Sequence, residues 1–127
     1  MTAKRTVLVV EVDDGIRSSL RQTLEEEAYQ VVAFDNGGAA LEWLSARPAP
    51  ELPCAALVDV VMPGMDGAQL VAAMRSADAM RRIPIVMMTS LMSPHARLPP
   101  GVRLLRKPFR VDPLLGAVED CCGLPPL

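Results

Sequence analysis

Polar side chains that could carry out phosphoryl chemistry lie at or just after the ends of apolar segments of the sequence. They are four carboxylates, two hydroxyls and one amine, namely Glu11, Asp13, Asp14, Asp59, Thr89, Ser90 and Lys107. A carboxylate can accept a phosphoryl group when Mg²⁺ neutralises the phosphoryl oxygens, a lysine supplies a positive charge and a hydroxyl donates a hydrogen bond. The residue types therefore predict a phosphoryl-acceptor site centred on Asp59.

The apolar segments that end in these residues are typical of β-strands. They are rich in β-branched residues, are bounded by turn residues, and span 6–12, 29–34, 54–60, 83–89 and 101–106. Their continuous apolar character is typical of parallel strands that are covered on both faces.

The stretches between the strands have the apolar spacing of amphipathic helices. Residues 14–28 place Ile16, Leu20 and Leu24 four positions apart on one face. Shorter helical patterns span residues 38–46 and 67–76.

Cap residues mark two of the helix starts. Asp66 is the expected N-cap of the helix at 67–76. A last helix is predicted to have Asp112 as its N-cap and Pro113 as its first residue, and to stop at Gly123. Prolines between the fourth and fifth strands predict that the fourth helix is short or degenerate.

Five strands alternating with helices predict an α/β fold, a doubly wound five-stranded parallel sheet with helices on both faces. The 127 residues are enough for one domain, with a tail from about residue 123. Ligands of such sheets collect beyond the carboxyl ends of the strands, where Glu11, Asp59, Thr89 and Lys107 are expected to meet.

Composition excludes several classes of function. With 13 basic and 15 acidic residues and a net charge of −2, the chain lacks the positive surface of a nucleic-acid binder. The first apolar run is short and is interrupted by Glu11, so it does not indicate a signal peptide. No stretch approaches the roughly 20 apolar residues of a membrane span. We expect a cytoplasmic protein without a membrane partner.

The three cysteines are expected to be free thiols, which suits a cytoplasmic location. Cys121 and Cys122 are neighbours, and a disulfide between adjacent residues is geometrically poor. A zinc site would have to recruit His95, and no C-x-x-C spacing supports it.

Four segments together resemble the receiver domains of two-component response regulators: "VLVVEVDDGIR", "LVDVVMPGMDG", "IPIVMMTS" and "LLRKPF". The resemblance covers essentially the whole chain and implies a flavodoxin-like sheet with strand order 2-1-3-4-5. It implies that Asp59 is phosphorylated by a histidine kinase or phosphotransfer protein, that Thr89 contacts the phosphoryl group, and that Lys107 pairs with it ahead of a cis peptide to Pro108.

The resemblance also implies a Mg²⁺ site and a signalling role. Glu11, Asp59 and the backbone carbonyl of Val61 match metal ligands of the family, and Asp13 is a further candidate. The chain would control an unidentified downstream protein and would be no enzyme beyond its own phosphorylation and dephosphorylation. Whether it forms a homodimer stays open.

Several residues depart from the family pattern. Val12 stands where the family has a metal-binding acid, and Leu104 where it has an aromatic residue. Thr89 and Lys107 are only 18 positions apart, several fewer than the family has. Val61 and Leu91 are apolar where polar side chains can assist water, so we expect slow hydrolysis of the phosphoryl group.

Three alternatives remain. A pseudo-receiver would bind its partner independently of phosphorylation, because Val12 degrades the metal site. A phosphatase of the haloacid dehalogenase type needs an acid two residues after its nucleophile, where Val61 stands. A flavin mononucleotide carrier is disfavoured because the acids of "EVDDG" would repel its phosphate.

Overall fold

One sheet of five parallel strands has the spatial order β2-β1-β3-β4-β5. In this computed structural model, which describes residues 5–90 and 98–123, the strands are β1 (Thr6–Val10), β2 (Gln30–Phe34), β3 (Ala55–Asp59), β4 (Ile85–Ser90) and β5 (Arg103–Lys107). The strand order confirms the predicted doubly wound sheet. Its order reverses between β1 and β3, which is where such sheets form a crevice.

Four α-helices lie within the described residues. They are α1 (Asp14–Glu26), α2 (Gly37–Ser45), α3 (Gly67–Arg75) and α4 (Val111–Cys122), and a short 3₁₀-helix spans Ala49–Glu51. Asp66 is the N-cap of α3, as predicted, because its side chain accepts a hydrogen bond from the Gln69 amide.

The start of α4 differs from the prediction. The helix begins at Val111 with Arg110 as its N-cap, so Asp112 lies in the first turn and does not cap the helix. Proline is tolerated throughout a first helical turn, because amides there have no partner within the helix. Pro113 therefore did not mark the first residue. The predicted stop at Gly123 is confirmed, with a φ of 75°.

The core consists of two layers, one on each face of the sheet. On one face, alternate strand residues pack with α1 and α4, as Val9 and Leu57 do with Leu24 and Val118. On the other face, the intervening strand residues pack with α2 and α3. Burial on both faces explains the continuous apolar strands.

The cysteines correct a prediction. Cys54 and Cys122 form a disulfide with their Cα atoms 5.2 Å apart, and Cys121 is free. The topology brings the residue before β3 beside the last residue of α4, across 68 positions of sequence. No local pattern signals a contact of that separation.

The short fourth helix is predicted between β4 and β5, and residues 91–97 of that segment, which include Leu91 and His95, lie outside the described residues. Residues 124–127 of the predicted tail also lie outside them. A turn at residues 100 and 101 leads into β5. In the parts of the chain that the structure describes, no helix has both the length and the apolar character that a membrane span requires.

Candidate functional site

The strand register brings most of the predicted site residues to one edge of the sheet. Val10 of β1 pairs with Val58 of β3, so the residues that follow, Glu11 and Asp59, lie next to each other across the crevice. Lys107 is the last residue of β5, and its side chain extends back to both carboxylates.

Lys107 connects the two carboxylates. Its Nζ atom donates a hydrogen bond to Asp59 Oδ1 at 3.2 Å and lies 2.5 Å from Glu11 Oε1. Glu11 is only 1% exposed and Asp59 is buried. Buried carboxylates are costly unless they are paired, so the ammonium group is what allows both to lie here. The peptide bond from Lys107 to Pro108 is cis, as the resemblance implied.

This surrounding alters how the groups titrate. Burial raises the pKa of Asp59 to about 6, the Glu11 carboxyl group adds to the rise, and Lys107 opposes it. Burial by itself would lower the pKa of Lys107, but its close ion pairs with Glu11 and Asp59 outweigh this and raise that pKa. At neutral pH the amine is protonated and most Asp59 carboxyl groups are anionic.

A cavity of about 250 Å³ opens beside Asp59. It is lined by Asp59, Val61, Thr89, Ser90 and Lys107. The volume is several times the roughly 30 Å³ that a water molecule occupies, which leaves room for a phosphoryl group. Thr89 is buried, and its Oγ1 donates only a long hydrogen bond of 3.3 Å to the Ser90 carbonyl. That hydroxyl can therefore be redirected toward an oxygen in the cavity at little cost.

Asp13 is a predicted site residue whose carboxylate is engaged at the start of α1. Its Oδ1 accepts a hydrogen bond of 2.8 Å from the Ile16 amide and so caps α1. Its own amide donates to Glu11 Oε2 at 3.0 Å. The Asp13 carboxylate thus belongs to the helix cap, and its backbone positions Glu11.

The loop after Asp59 is fixed by its glycines. Gly64 has a φ of 75°, which only glycine adopts readily. The Gly67 amide donates to the Val60 carbonyl at 3.0 Å, which closes the loop. The segment "MPGMDG" therefore returns the chain directly behind Asp59.

Arg17 is a site-supporting residue that the sequence analysis missed. Its Nη1 donates to the Glu11 carbonyl at 2.9 Å and to the Val12 carbonyl at 3.4 Å, and its other nitrogen pairs with Asp14. The guanidinium thus holds the loop between β1 and α1. An arginine one helical turn after an acid at a helix start is the signal that could have identified it.

The donor set suits Mg²⁺ with few protein ligands. Mg²⁺ is usually held by one or two carboxylates and waters, and Glu11 and Asp59 supply two adjacent carboxylates. Glu11 Oε1 faces Lys107 only as an ion pair, and no described group donates a hydrogen bond to it. Among the described residues there is no cluster of three or more His, Cys, Asp or Glu side chains suited to a metal. The residues therefore fit a weak magnesium site.

The doubly wound sheet and the buried Asp59–Lys107 pair at its strand ends define an α/β domain of the receiver class. The sequence model of the response regulator receiver domain matches residues 7–119. The chain belongs to the response regulator receiver domain family.

Individual proteins agree with this assignment. The response regulator receiver protein CpdR of Brucella abortus is 33% identical over 91% of this chain and 94% of its own length. The crystal structure of a putative response regulator from Chloroflexus aurantiacus has a TM-score of 0.83 and 28% identity, covering 94% of this chain and 98% of that one.

A third neighbour shares the fold at lower identity. The receiver domain of the sensor histidine kinase PA1611 from Pseudomonas aeruginosa, with a magnesium ion coordinated in its active-site cleft, has a TM-score of 0.82 and 22% identity, covering 95% of this chain and 99% of that one. Other relatives are longer proteins, and the chain spans 58%, 25% and 48% of three of them.

Proposed function

We propose that this chain is a phosphorylation-controlled signalling domain in which Asp59 accepts a phosphoryl group from a histidine kinase or phosphotransfer protein. The observation that carries the proposal is the buried Asp59 carboxylate, paired with Lys107 at the wall of a cavity that Thr89 also lines. A buried strand-end carboxylate facing an open cavity is poorly explained as a structural residue.

The transfer is a substitution at phosphorus. An Asp59 carboxylate oxygen attacks the phosphorus of a phosphohistidine, the P–N bond breaks, and the departing imidazole takes up a proton. Lys107 loses none of its charge in this step and pairs with the added phosphoryl oxygens, while Thr89 Oγ1 donates a hydrogen bond to one of them. The product is an aspartyl phosphate on this chain, so the domain is itself the substrate.

Glu11, Asp59 and the Val61 carbonyl would hold Mg²⁺, which when bound neutralises charge on the phosphoryl oxygens. Val12 supplies no side-chain ligand beside them, because its side chain is apolar, and it is 37% exposed. We therefore expect phosphorylation to need a high magnesium concentration.

The change in Asp59 would alter binding of a downstream protein. Leu104 lies on β5, is 39% exposed and has no hydroxyl group, so it offers a smaller conformational signal than an aromatic residue. The kinase or phosphotransfer protein and the downstream protein are the two partners that this function requires.

The test is the intact mass of the protein after incubation with acetyl phosphate, with and without Mg²⁺. A magnesium-dependent phosphoryl adduct is expected in the wild type and is expected to be absent from Asp59→Asn. Asp78→Asn is the matched control, because Asp78 is an exposed carboxylate in a surface pair with Arg81. An adduct that persists in Asp59→Asn would contradict the assignment of Asp59.

A pseudo-receiver is the second candidate, and the placement of Asp13 favours it. The Asp13 carboxylate caps α1, so it does not replace the ligand that Val12 lacks. In that case the folded protein would take up no phosphoryl group even at high magnesium concentration. Binding to its partner would then be equal for wild type and Asp59→Asn.

A further inference from the structure

A second chemically active feature lies at the end of the sheet opposite Asp59. Cys54 directly precedes β3, Cys122 is the last residue of α4, and the two are joined by a disulfide. The bond ties the carboxyl-terminal helix to the amino-terminal end of a central strand. The phosphoryl-acceptor site uses none of these atoms.

We propose that Cys54 and Cys122 form a reversible thiol–disulfide site that fastens and releases the last turn of α4. The oxidised state is the one in the structure. The reduced state keeps the fold and loses the covalent link between β3 and α4.

The reduced state is accommodated by contacts that are already present. Cys54 Sγ lies 3.4 Å from the Thr6 carbonyl oxygen, so the thiol of a reduced Cys54 has an acceptor at hydrogen-bond distance for sulfur. Leu114, Ala117 and Val118 bury the middle of α4 in the core without help from the disulfide. Reduction should therefore loosen the end of the helix without unfolding the domain.

The two cysteine residues differ in exposure, which indicates Cys54 as the one that a reductant reaches first. Cys122 is 4% exposed, whereas Cys54 is partly exposed. A thiolate of a dithiol reductant attacks Cys54 Sγ, the Sγ–Sγ bond breaks, and Cys122 leaves as a thiolate that takes up a proton. The second thiol of the reductant then displaces Cys54 from the mixed disulfide. Two electrons and two protons pass to the protein, and the reductant becomes a disulfide.

Cys121 is not expected to scramble this pair. It lies in α4 one residue before Cys122 rather than a full turn away, so it faces a different side of the helix from Cys122. Burial raises the pKa of the Cys121 thiol, which keeps it in the less reactive protonated form. Cys121→Ser is therefore the matched control.

The part of α4 that the disulfide fastens is small and defined. The Gly123 amide donates to the Glu119 carbonyl at 2.7 Å, and the Tyr29 hydroxyl donates to the Gly123 carbonyl at 3.4 Å. Both bonds depend on where the helix ends. Without the disulfide, these two bonds, the Arg103–Asp120 ion pair and the backbone bonds of the helix are the polar contacts that the described residues provide to residues 119–123, so amide exchange there should speed up by at least about tenfold.

The first experiment counts reactive thiols. One sample of air-equilibrated protein is left untreated, and a second is treated with dithiothreitol while it is folded. Both are then unfolded in the presence of iodoacetamide, and the number of adducts is read from the intact mass. One adduct is expected before reduction and three after reduction for about an hour without denaturant. Three adducts before reduction would show that the disulfide does not form. One adduct after native reduction would show a permanent structural bond. Either result overturns the proposal.

The second experiment asks what the bond changes. Reduction should lower the Tm by roughly 10 °C, and oxidised glutathione should restore it. Cys54→Ser should have the Tm of the reduced wild type, and reductant should not change it. The Tm of Cys121→Ser should fall on reduction as that of the wild type does. Loss of the circular-dichroism signal on reduction would contradict a reversible site, as would an unchanged Tm and unchanged exchange at residues 119–123.

Discussion

Gly67 lies so close behind Asp59 that no side chain fits between them. A Cβ atom at Gly67 would stand 2.3 Å from the Asp59 carbonyl oxygen and 2.8 Å from Met87 Cε. Backbone and core would both have to move to admit it. The first residue of α3 thus fixes the position of the strand end that carries Asp59, the proposed phosphoryl acceptor.

We predict that Gly67→Ala lowers the free energy of unfolding by about 1–3 kcal/mol, because overpacking forces a backbone shift. The same shift should reduce phosphorylation of Asp59 in the mass assay. Gly116→Ala is the control: nothing lies within 4 Å of a Cβ there, and alanine favours a helix by up to about 1 kcal/mol. Equal stability of both variants in urea unfolding would contradict the close-packing argument.

The pKa of Asp59 predicts a pH-dependent stability. Since its pKa rises from 3.8 to about 6 on folding, its contribution is fully present below pH 3.8 and is lost as the pH rises through about 6. Asparagine does not ionise, so Asp59→Asn removes this loss of stability at higher pH. Its amide oxygen can still accept a hydrogen bond from Lys107. The variant should therefore gain about 2 kcal/mol relative to wild type between pH 4 and pH 8 in metal-free buffer.

Urea unfolding at several pH values measures this difference, and Asp78→Asn serves as a control because Asp78 lies in an exposed pair with Arg81. The stability of the control relative to wild type should hardly change over the same range. A flat profile for Asp59→Asn as well would show that Asp59 keeps an ordinary pKa.

We predict that Arg17 holds the loop between β1 and α1 in position. Arg17→Ala should free the carbonyls of Glu11 and Val12 and lower stability by about 1 kcal/mol. Amide exchange at Asp13 should speed up, because that amide donates to the Glu11 carboxylate that the loop positions. Arg81→Ala is the control, since Arg81 forms an exposed pair with Asp78. Unchanged exchange at Asp13 would show that the loop holds its shape without Arg17.

Much of this architecture is encoded locally. Continuous apolar strands, amphipathic helices and the Asp66 cap predicted the sheet, its layers and four of the helices. The strand ends also predicted that Glu11, Asp59 and Lys107 would meet, because parallel strands end at one edge.

The features that the sequence did not predict depend on contacts between distant residues or on competition between two local interactions. The Cys54–Cys122 pair arises only when β3 and α4 are assembled. Asp13 was a candidate ligand, but its carboxylate is held by the Ile16 amide at the start of α1, a capping interaction that the sequence analysis did not weigh. The predicted first residue of α4, Pro113, lies after the observed one, Val111, because proline is tolerated at several positions of a first turn.

Val61 predicts a long-lived phosphoryl group. Its side chain is 63% exposed at the cavity and offers no polar group to orient an attacking water. Val61→Asn should shorten the half-life of the aspartyl phosphate by about tenfold, measured as loss of the adduct mass over time. Val111→Asn, at another exposed valine, should not change it. A wild-type half-life of seconds would contradict the prediction.

We predict that Val12 limits how strongly the proposed site binds magnesium. Val12→Asp would add a third carboxylate beside Glu11 and Asp59, and Mg²⁺ affinity rises with the number of charged ligands. Calorimetric titration should show an increase on the order of tenfold, and phosphorylation should then proceed at lower magnesium concentration.

Val12→Asn separates the effect of charge from that of an added ligand, because its amide oxygen can bind Mg²⁺ but carries no charge. This variant should bind Mg²⁺ more weakly than Val12→Asp. If the wild type already binds as tightly as Val12→Asp, another carboxylate has replaced the missing ligand. Asp13→Asn would then identify it, because affinity would fall in that variant while the magnesium-free protein loses only the stability of the α1 cap, about 1 kcal/mol or less.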